Sequence, residues 1–318
     1  MPVTITAGIT FSGGGLTMEF APPSQATAGW FGGGRNPGEG GPLSSVSRIT
    51  FATDTATASS RGPLSAARYS IGSTGNLTNG WFAGGYTPGN ARSLVDRITY
   101  ATDTATATVR GPLNNVILNI QAAGTTTDGW FGAGYSPAPA GAKSWVSRIT
   151  YATDTNTASV RGPLTVSSWN RTAVTDSSTY GWFAGGEGSS TQVDRITYAT
   201  DTNTASVRGS LFTDANSAGG TYTTSYGWIG GSIGSTVQRI TYASDTATAS
   251  VRGPIYNSNS QSGGAGDDTY GWFGGGSYGG NFLATVYRIT YATDTAAATS
   301  RGALFTGTGS VTASSGIQ

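Results

Sequence analysis

Cysteine and histidine are both missing from this 318-residue chain. Their absence excludes disulfides and thiol nucleophiles, and it removes the usual zinc ligands and the commonest general base. Charge is scarce as well. Asp, Glu, Lys and Arg make up 10% of the residues, the formal net charge is +1, and Lys143 is the one lysine. Twelve of the seventeen basic residues are arginines at fixed places in a repeat, so no basic stripe of the kind that tracks nucleic acid or anionic membrane is present. No window approaches the roughly 20 apolar residues of a membrane helix. The opening stretch MPVTITAGITFSGGG has neither the basic head nor the apolar run of a signal peptide. We therefore expect a soluble protein, made in a cytoplasm without a secretory signal, with no nucleic-acid partner, no membrane insertion, no cofactor and no metal.

What the chain has instead is glycine, 50 residues of it, and a repeat. RITYATDTNTASVRGPL at Arg148 returns with small changes at Arg48, Arg97, Arg195, Arg239 and Arg288. Before each copy stands an aromatic–glycine element, GWFGGG at Gly29 and its counterparts at Gly80, Gly129, Gly181, Gly227 and Gly271. The mean spacing is 48 residues, a period that means stacked supersecondary units and suits a propeller blade. Within a unit the signals are for strands. Val146 to Ala152 alternates, TDTN carries turn formers, and TASVRG alternates again. Opposed residues of that hairpin share a face, which groups Ile149, Tyr151, Ala158 and Val160 against Arg148, Thr150, Ser159 and Arg161. GWF is a further strand, ending in glycines where the backbone turns, and the variable stretch between RGPL and GWF holds the fourth.

Four strands in each of six units predict an all-β fold: a six-bladed β-propeller, in which blades too small to fold alone bury one another's aromatic flanks. The tail Phe305 to Gln318 matches the first-strand region of other units, while Trp30 lacks such a strand before it. The C-terminus is therefore expected to close the ring in the blade of Trp30. Residues 1–22 form a separate N-terminal β extension for assembly or anchoring, and 23–318 form the propeller. In the extension Ile9, Phe11, Leu16, Met18 and Phe20 make an apolar side too large for an isolated hairpin, which is marginal in water. It is expected to dock on its own propeller or to pair with another subunit.

The units resemble kelch repeats. The double glycine stands at Gly84-Gly85 and Gly185-Gly186, the tyrosine at Tyr100, Tyr151, Tyr198, Tyr242 and Tyr291 (Phe51 in the first copy), and the Thr-Asn turn at Thr155-Asn156 and Thr202-Asn203. Where kelch units carry tryptophan after the turn, this chain has Ala58, Ala158 or Ala205, and its large ring sits before the glycines instead. The resemblance implies architecture and a binding scaffold, since propellers host unrelated activities. In its near-identical Gly/Ser/Thr-rich repeats behind a short leader, the chain also resembles virion proteins of tailed phages. That second resemblance implies a fibre or decoration component located on a virion or outside the cell, with other virion subunits and host surface glycans as partners, in an oligomer or larger assembly.

The six Arg148-type and six Arg161-type arginines are expected to latch blades together through the turn aspartates Asp54, Asp103, Asp154, Asp201, Asp245 and Asp294. One carboxylate per turn is too few for calcium, which takes 6–8 oxygens. A glycosidase needs two facing carboxylates; the adjacent Asp267 and Asp268 point to opposite sides of an extended segment, and no enzyme is expected. Variability collects in the loops between second and third strands and in the segments between blades, all on one face, leaving the opposite face repetitive. Loops on a rigid scaffold carry recognition. Their aromatic, Ser/Asn/Gly-rich composition is that of a paratope or sugar-binding surface. The candidate ligand-binding residues are Tyr86, Tyr135, Trp145, Trp169, Tyr256 and Tyr278. The alternatives to a virion component are a free lectin-like or scaffold propeller and, from another class, a glycan hydrolase.

Overall fold

The computed structural model describes residues 7–12, 15–20, 25–36, 38, 41–187, 191–232, 234–255 and 260–316, the first two stretches as backbone alone. Six four-stranded antiparallel sheets stand as the blades of a six-bladed β-propeller. Blade III, typical of the set, runs from its innermost strand Gln121–Gly124 through Asp128–Gly132 and Val146–Thr150 to the outer Ser159–Arg161. Blade I is built from both ends of the chain. Its inner strand Thr312–Ser315 pairs antiparallel with Ala28–Gly32, Gly29 opposite Ser315 and Gly32 opposite Thr312. The closure expected from the tail is thus met.

Each blade hides one aromatic flank under the next. The Trp81 indole of blade II stacks on Tyr151 of blade III at 3.7 Å between ring centroids, 6° from parallel. The same stack recurs five times, ending with Trp272 of blade VI on Phe51 of blade I at 3.9 Å. Offset parallel rings add about 1 kcal/mol beyond the area they bury. Below each stack lies a hub. Asp154, buried in the turn of blade III, accepts from the Trp81 indole N–H at 2.8 Å and from Arg97 Nη1 at 3.0 Å, with Arg110 Nε at 3.5 Å, all three on blade II. The latch reading of the repeated arginines holds at every junction.

The backbone is latched as well. Gly162 N–H donates to the Asp201 carbonyl of the next blade, and Ala205 N–H there donates back to the Pro163 carbonyl, at 2.8 and 2.9 Å. A Cβ on Gly162 would overlap the Asn203 carbonyl oxygen, so only glycine lets the two chains approach. These contacts explain why seventeen residues recur. Every copy is one side of a junction to the blade before it and the other side of a junction to the blade after it. Its buried positions, Ile149, Tyr151, Asp154, Ala158, Gly162 and Leu164, meet counterparts that are themselves repeated.

The same contacts revise the expected hairpin. The third strand stops at Thr150, and Tyr151–Thr153 form a single 3-10 turn. The fourth strand begins only at Ser159, because Ala158 N–H goes to the Pro112 carbonyl of blade II rather than to its own sheet. Arg148 does face Ser159 across the ladder, as expected. Val160, grouped with the buried Ile149, is 66% exposed because the outermost strand has nothing beyond it.

Two blades carry an extra device. Arg68 and Asp96 are wholly buried and 2.7 Å apart, as are Arg171 and Asp194 at 2.6 Å. Both arginines come from the segment before the inner strand, but from different places in it. Each also donates to the carbonyl of the glycine after the GWF strand, Gly84 or Gly185. Desolvation lowers the pKa of both guanidinium groups while the facing aspartates raise it. The N-terminal strands Ala7–Ser12 and Gly15–Phe20 pair with each other, Ile9 opposite Met18 and Phe11 opposite Leu16. Their side chains lie outside the described residues, so the assembly role of Ile9, Phe11, Leu16, Met18 and Phe20 stays an expectation.

Removing a hub should be costly. Asp154→Ala leaves two arginines and a buried indole N–H without their shared acceptor, and we expect a loss of about 3–5 kcal/mol. Urea denaturation checks this; a loss under about 1 kcal/mol would mean that the hub behaves as a surface ion pair.

Candidate functional site

In a four-stranded antiparallel blade the loop between second and third strands leaves from the same end as the segment entering the next blade. The variable face is assembled from these two pieces, and they interlock. After the GWF strand of blade II, Gly84 and Gly85 take φ of 71° and 95° and turn the chain outward. The loop beyond forms a small hairpin, Tyr86–Thr87 against Asn90–Ala91. Tyr86 also bridges to Tyr69 in the entering segment, N–H to carbonyl in both directions at 2.9 and 3.2 Å. Equivalent bridges join Leu118 to Tyr135, Ser260 to Ser277 and Gly309 to Arg35.

Inside this circle of bridges lies a second ring, around the axis. Ser70, Asn119, Asn170, Ser217, Gln261 and Ser310, one per blade, all adopt φ between 53° and 66°. That region is costly for residues with a Cβ and persists where the surroundings impose it. Here they do so by hydrogen bonds running head to tail. Asn119 N–H donates to the Ser70 carbonyl at 2.8 Å, Asn170 to Asn119 at 3.2 Å, Ser217 to Asn170 at 2.9 Å and Gln261 to Ser217 at 2.6 Å, while Ser70 N–H takes the Ser310 carbonyl at 3.2 Å. The Ser310 hydroxyl reaches Gln261 Oε1 at 3.0 Å. The six residues, all polar and uncharged, line a throat of about 30 Å³, enough to hold water. The buried Ser262 hydroxyl below, without a hydrogen-bond partner among the described residues, borders both this throat and a cavity of about 60 Å³ deeper on the axis.

Outside the throat, aromatic rings gather on one half of the circle. Tyr69 and Tyr86 meet at 5.5 Å between centroids, and Tyr135 and Trp169 at 5.9 Å, both tilted near 57°. The Arg35 guanidinium lies 5.7 Å from the Tyr69 ring centre, and Glu187 N–H donates to the Trp169 carbonyl at 2.8 Å. At the equivalent positions of the other half stand the small residues Asn216, Ser232, Ser260, Ser277 and Gly309, while Phe212, Tyr278 and Phe305 are exposed elsewhere in its segments and loops. The structure therefore brings Tyr86, Tyr135 and Trp169 together with Tyr69. It sets Trp145 differently, packed against the core of Trp81, Leu113 and Phe131 with the Lys143 ammonium 5.0 Å from its ring centre. Tyr278 stands 53% exposed in its own hairpin, and Tyr256 lies outside the described residues.

Neither a protein-family model nor a curated protein sequence matches this chain. The geometry of the propeller must carry the assignment. The acids outside the turns are mostly engaged. Asp96 and Asp194 are in the buried pairs, Asp128 accepts from Thr150 at 2.6 Å, and Asp268 accepts from Gln25 at 2.6 Å. Asp267 accepts the Thr269 and Tyr270 N–H groups, each at 2.7 Å, and its partial burial raises its pKa. Among the described residues no group of three or more Asp or Glu is placed to hold a metal, and no helix is long and apolar enough to cross a membrane.

The throat residues went unnoticed in the sequence, although a signal exists. Five of the six lie eleven residues before Trp81, Trp130, Trp228 or Trp272, or twelve before Trp182, Ser310 having no tryptophan after it, and all six are polar.

Proposed function

We propose that the protein is a non-enzymatic recognition module, a fibre or surface-decoration component of a phage virion, that binds a host glycan at the axial mouth of its variable face. The observation that carries this reading is the arc of Tyr69, Tyr86, Tyr135 and Trp169 beside a rigid ring of uncharged hydrogen-bonding groups. Aromatic faces cover the apolar side of a sugar ring, and amide and hydroxyl groups meet its hydroxyls. Both are held by the bridges before any ligand arrives, so little ordering entropy is lost on binding.

A glycan panel with the purified protein tests this. Tyr86→Ala and Trp169→Ala should each weaken binding of a retained glycan at least about tenfold, as loss of a buried aromatic anchor does. Trp145→Phe, altering a ring packed on the core, should leave affinity unchanged. Glycan binding indifferent to both arc substitutions would remove the site. Turnover of a glycan, lost on a single Asp or Glu substitution, would replace it with the hydrolase reading.

A further inference from the structure

The face opposite the variable one was expected to be uniform, and it is not. At the residue before each Gly-Trp, opposite the threonine that ends the third strand, the six blades carry Ala28, Asn79, Asp128, Tyr180, Tyr226 and Tyr270. In blades IV to VI the tyrosine folds over the repeated arginine. The guanidinium carbons of Arg195, Arg239 and Arg288 lie 4.0, 4.3 and 4.1 Å from the ring centres of Tyr180, Tyr226 and Tyr270. The same rings meet the edges of Trp182, Trp228 and Trp272 at 5.6 to 5.7 Å. In blade III the Asp128 carboxylate takes the place, 3.7 Å from Arg148 Nε.

Among the described residues, blades I and II have no such occupant. Arg48 and Arg97 are 28% and 25% exposed, against 17%, 20% and 19% for the three capped arginines. In front of each opens a groove. One of about 270 Å³ is bordered by Ala28, Trp30, Arg48 and Tyr100; the other, of about 330 Å³, by Asn79, Trp81, Arg97 and Tyr151. Both offer the guanidinium face and indole edge that blades IV to VI cover with a phenol, and both have room for one.

We propose that these two grooves are docking sites for tyrosine side chains of a partner polypeptide. The occupant is specified by the chain itself, which fills three equivalent places with that ring. A guanidinium face attracts the negative face of an aromatic ring, and a phenol keeps its hydroxyl in water while its body is covered. Two vacancies on neighbouring blades favour a segment offering two tyrosines, since the second contact is then intramolecular.

The test uses N-acetyl-tyrosinamide as probe and follows the indole N–H signals of the six repeated tryptophans, out of eight in the chain, in a proton–nitrogen NMR titration of the full chain. Saturable shifts are expected at Trp30 and Trp81, and none at Trp182, Trp228 and Trp272. Asn79→Tyr should fill its groove from within, silence Trp81, leave Trp30 responding and raise the melting temperature. Tyr226→Ala should add Trp228 to the responding set. Equal shifts at all six indoles, no shift at Trp30 and Trp81, or unaltered Trp81 shifts in the Asn79→Tyr protein would each overturn the proposal.

Discussion

Raising the pH past about 10, the ordinary phenol value, should unfold the protein abruptly, with a group of tyrosines ionising only as it does so. Tyr100, Tyr151, Tyr198, Tyr242 and Tyr291 lie beneath the stacked tryptophans, and Tyr222 lines the axial cavity. Burial pushes all six phenols well above their usual range. Hydrogen bonds from Tyr100 to Ser314 and from Tyr198 to Thr175 only partly offset it. The sign follows directly. The folded state holds the protons that the unfolded state gives up near pH 10, so stability is complete below that value and falls as pH rises beyond it. Each phenol contributes a slope of about 1.4 kcal/mol per pH unit, and six together about 8. Total stability of a domain is ordinarily about 5–15 kcal/mol, so the transition should be complete within about two pH units. Phenolate absorbance followed together with circular dichroism checks this. Gradual ionisation of these six rings with the β signal intact would show that solvent reaches them in the folded ring.

The second large effect is expected from deleting residues 305–318. The lost strand is one quarter of blade I, and its side chains also hold two neighbouring blades. The Ser314 hydroxyl meets Tyr100 at 2.8 Å and the Thr74 carbonyl at 3.1 Å, Thr312 meets Ser73 at 2.7 Å, and Val311 belongs to the core beside Trp272. Without them the circle opens and two aromatic flanks reach water. We expect loss of the single cooperative transition, seen as urea curves by tryptophan fluorescence and circular dichroism that no longer coincide. The deleted segment supplied as a peptide should restore it. A shortened protein with one unchanged transition would mean that the blades do not depend on closure.

The fold was legible because its contacts are written twice. Trp81 and Tyr151, or Arg97 and Asp154, have counterparts in every unit, and residues that recur together across six copies announce that they meet. Strand ends were less legible. Ala158 looks like a strand residue, and only the neighbouring Pro112 carbonyl takes it out of the sheet. At the variable face the sequence offered aromatic rings but not their partners, so Tyr69 was not joined to Tyr86, and Trp145 was placed with rings it does not meet. The axial ring is a matter of backbone conformation, which Ser70, Ser217 and Gln261 do not advertise as glycine would. On the opposite face the series Ala28, Asn79, Asp128, Tyr180 was in plain view, but its meaning needed the arginine standing across the ladder.

The strand that completes blade I reaches its place from the far end of the chain and is held there by hydrogen bonds and packing alone. Nothing in its four residues distinguishes the molecule it belongs to from an identical one nearby. Crowded during synthesis, two molecules could trade these ends and form a linked pair with every junction satisfied. Dilution would then separate the pair only as fast as a blade can be unzipped.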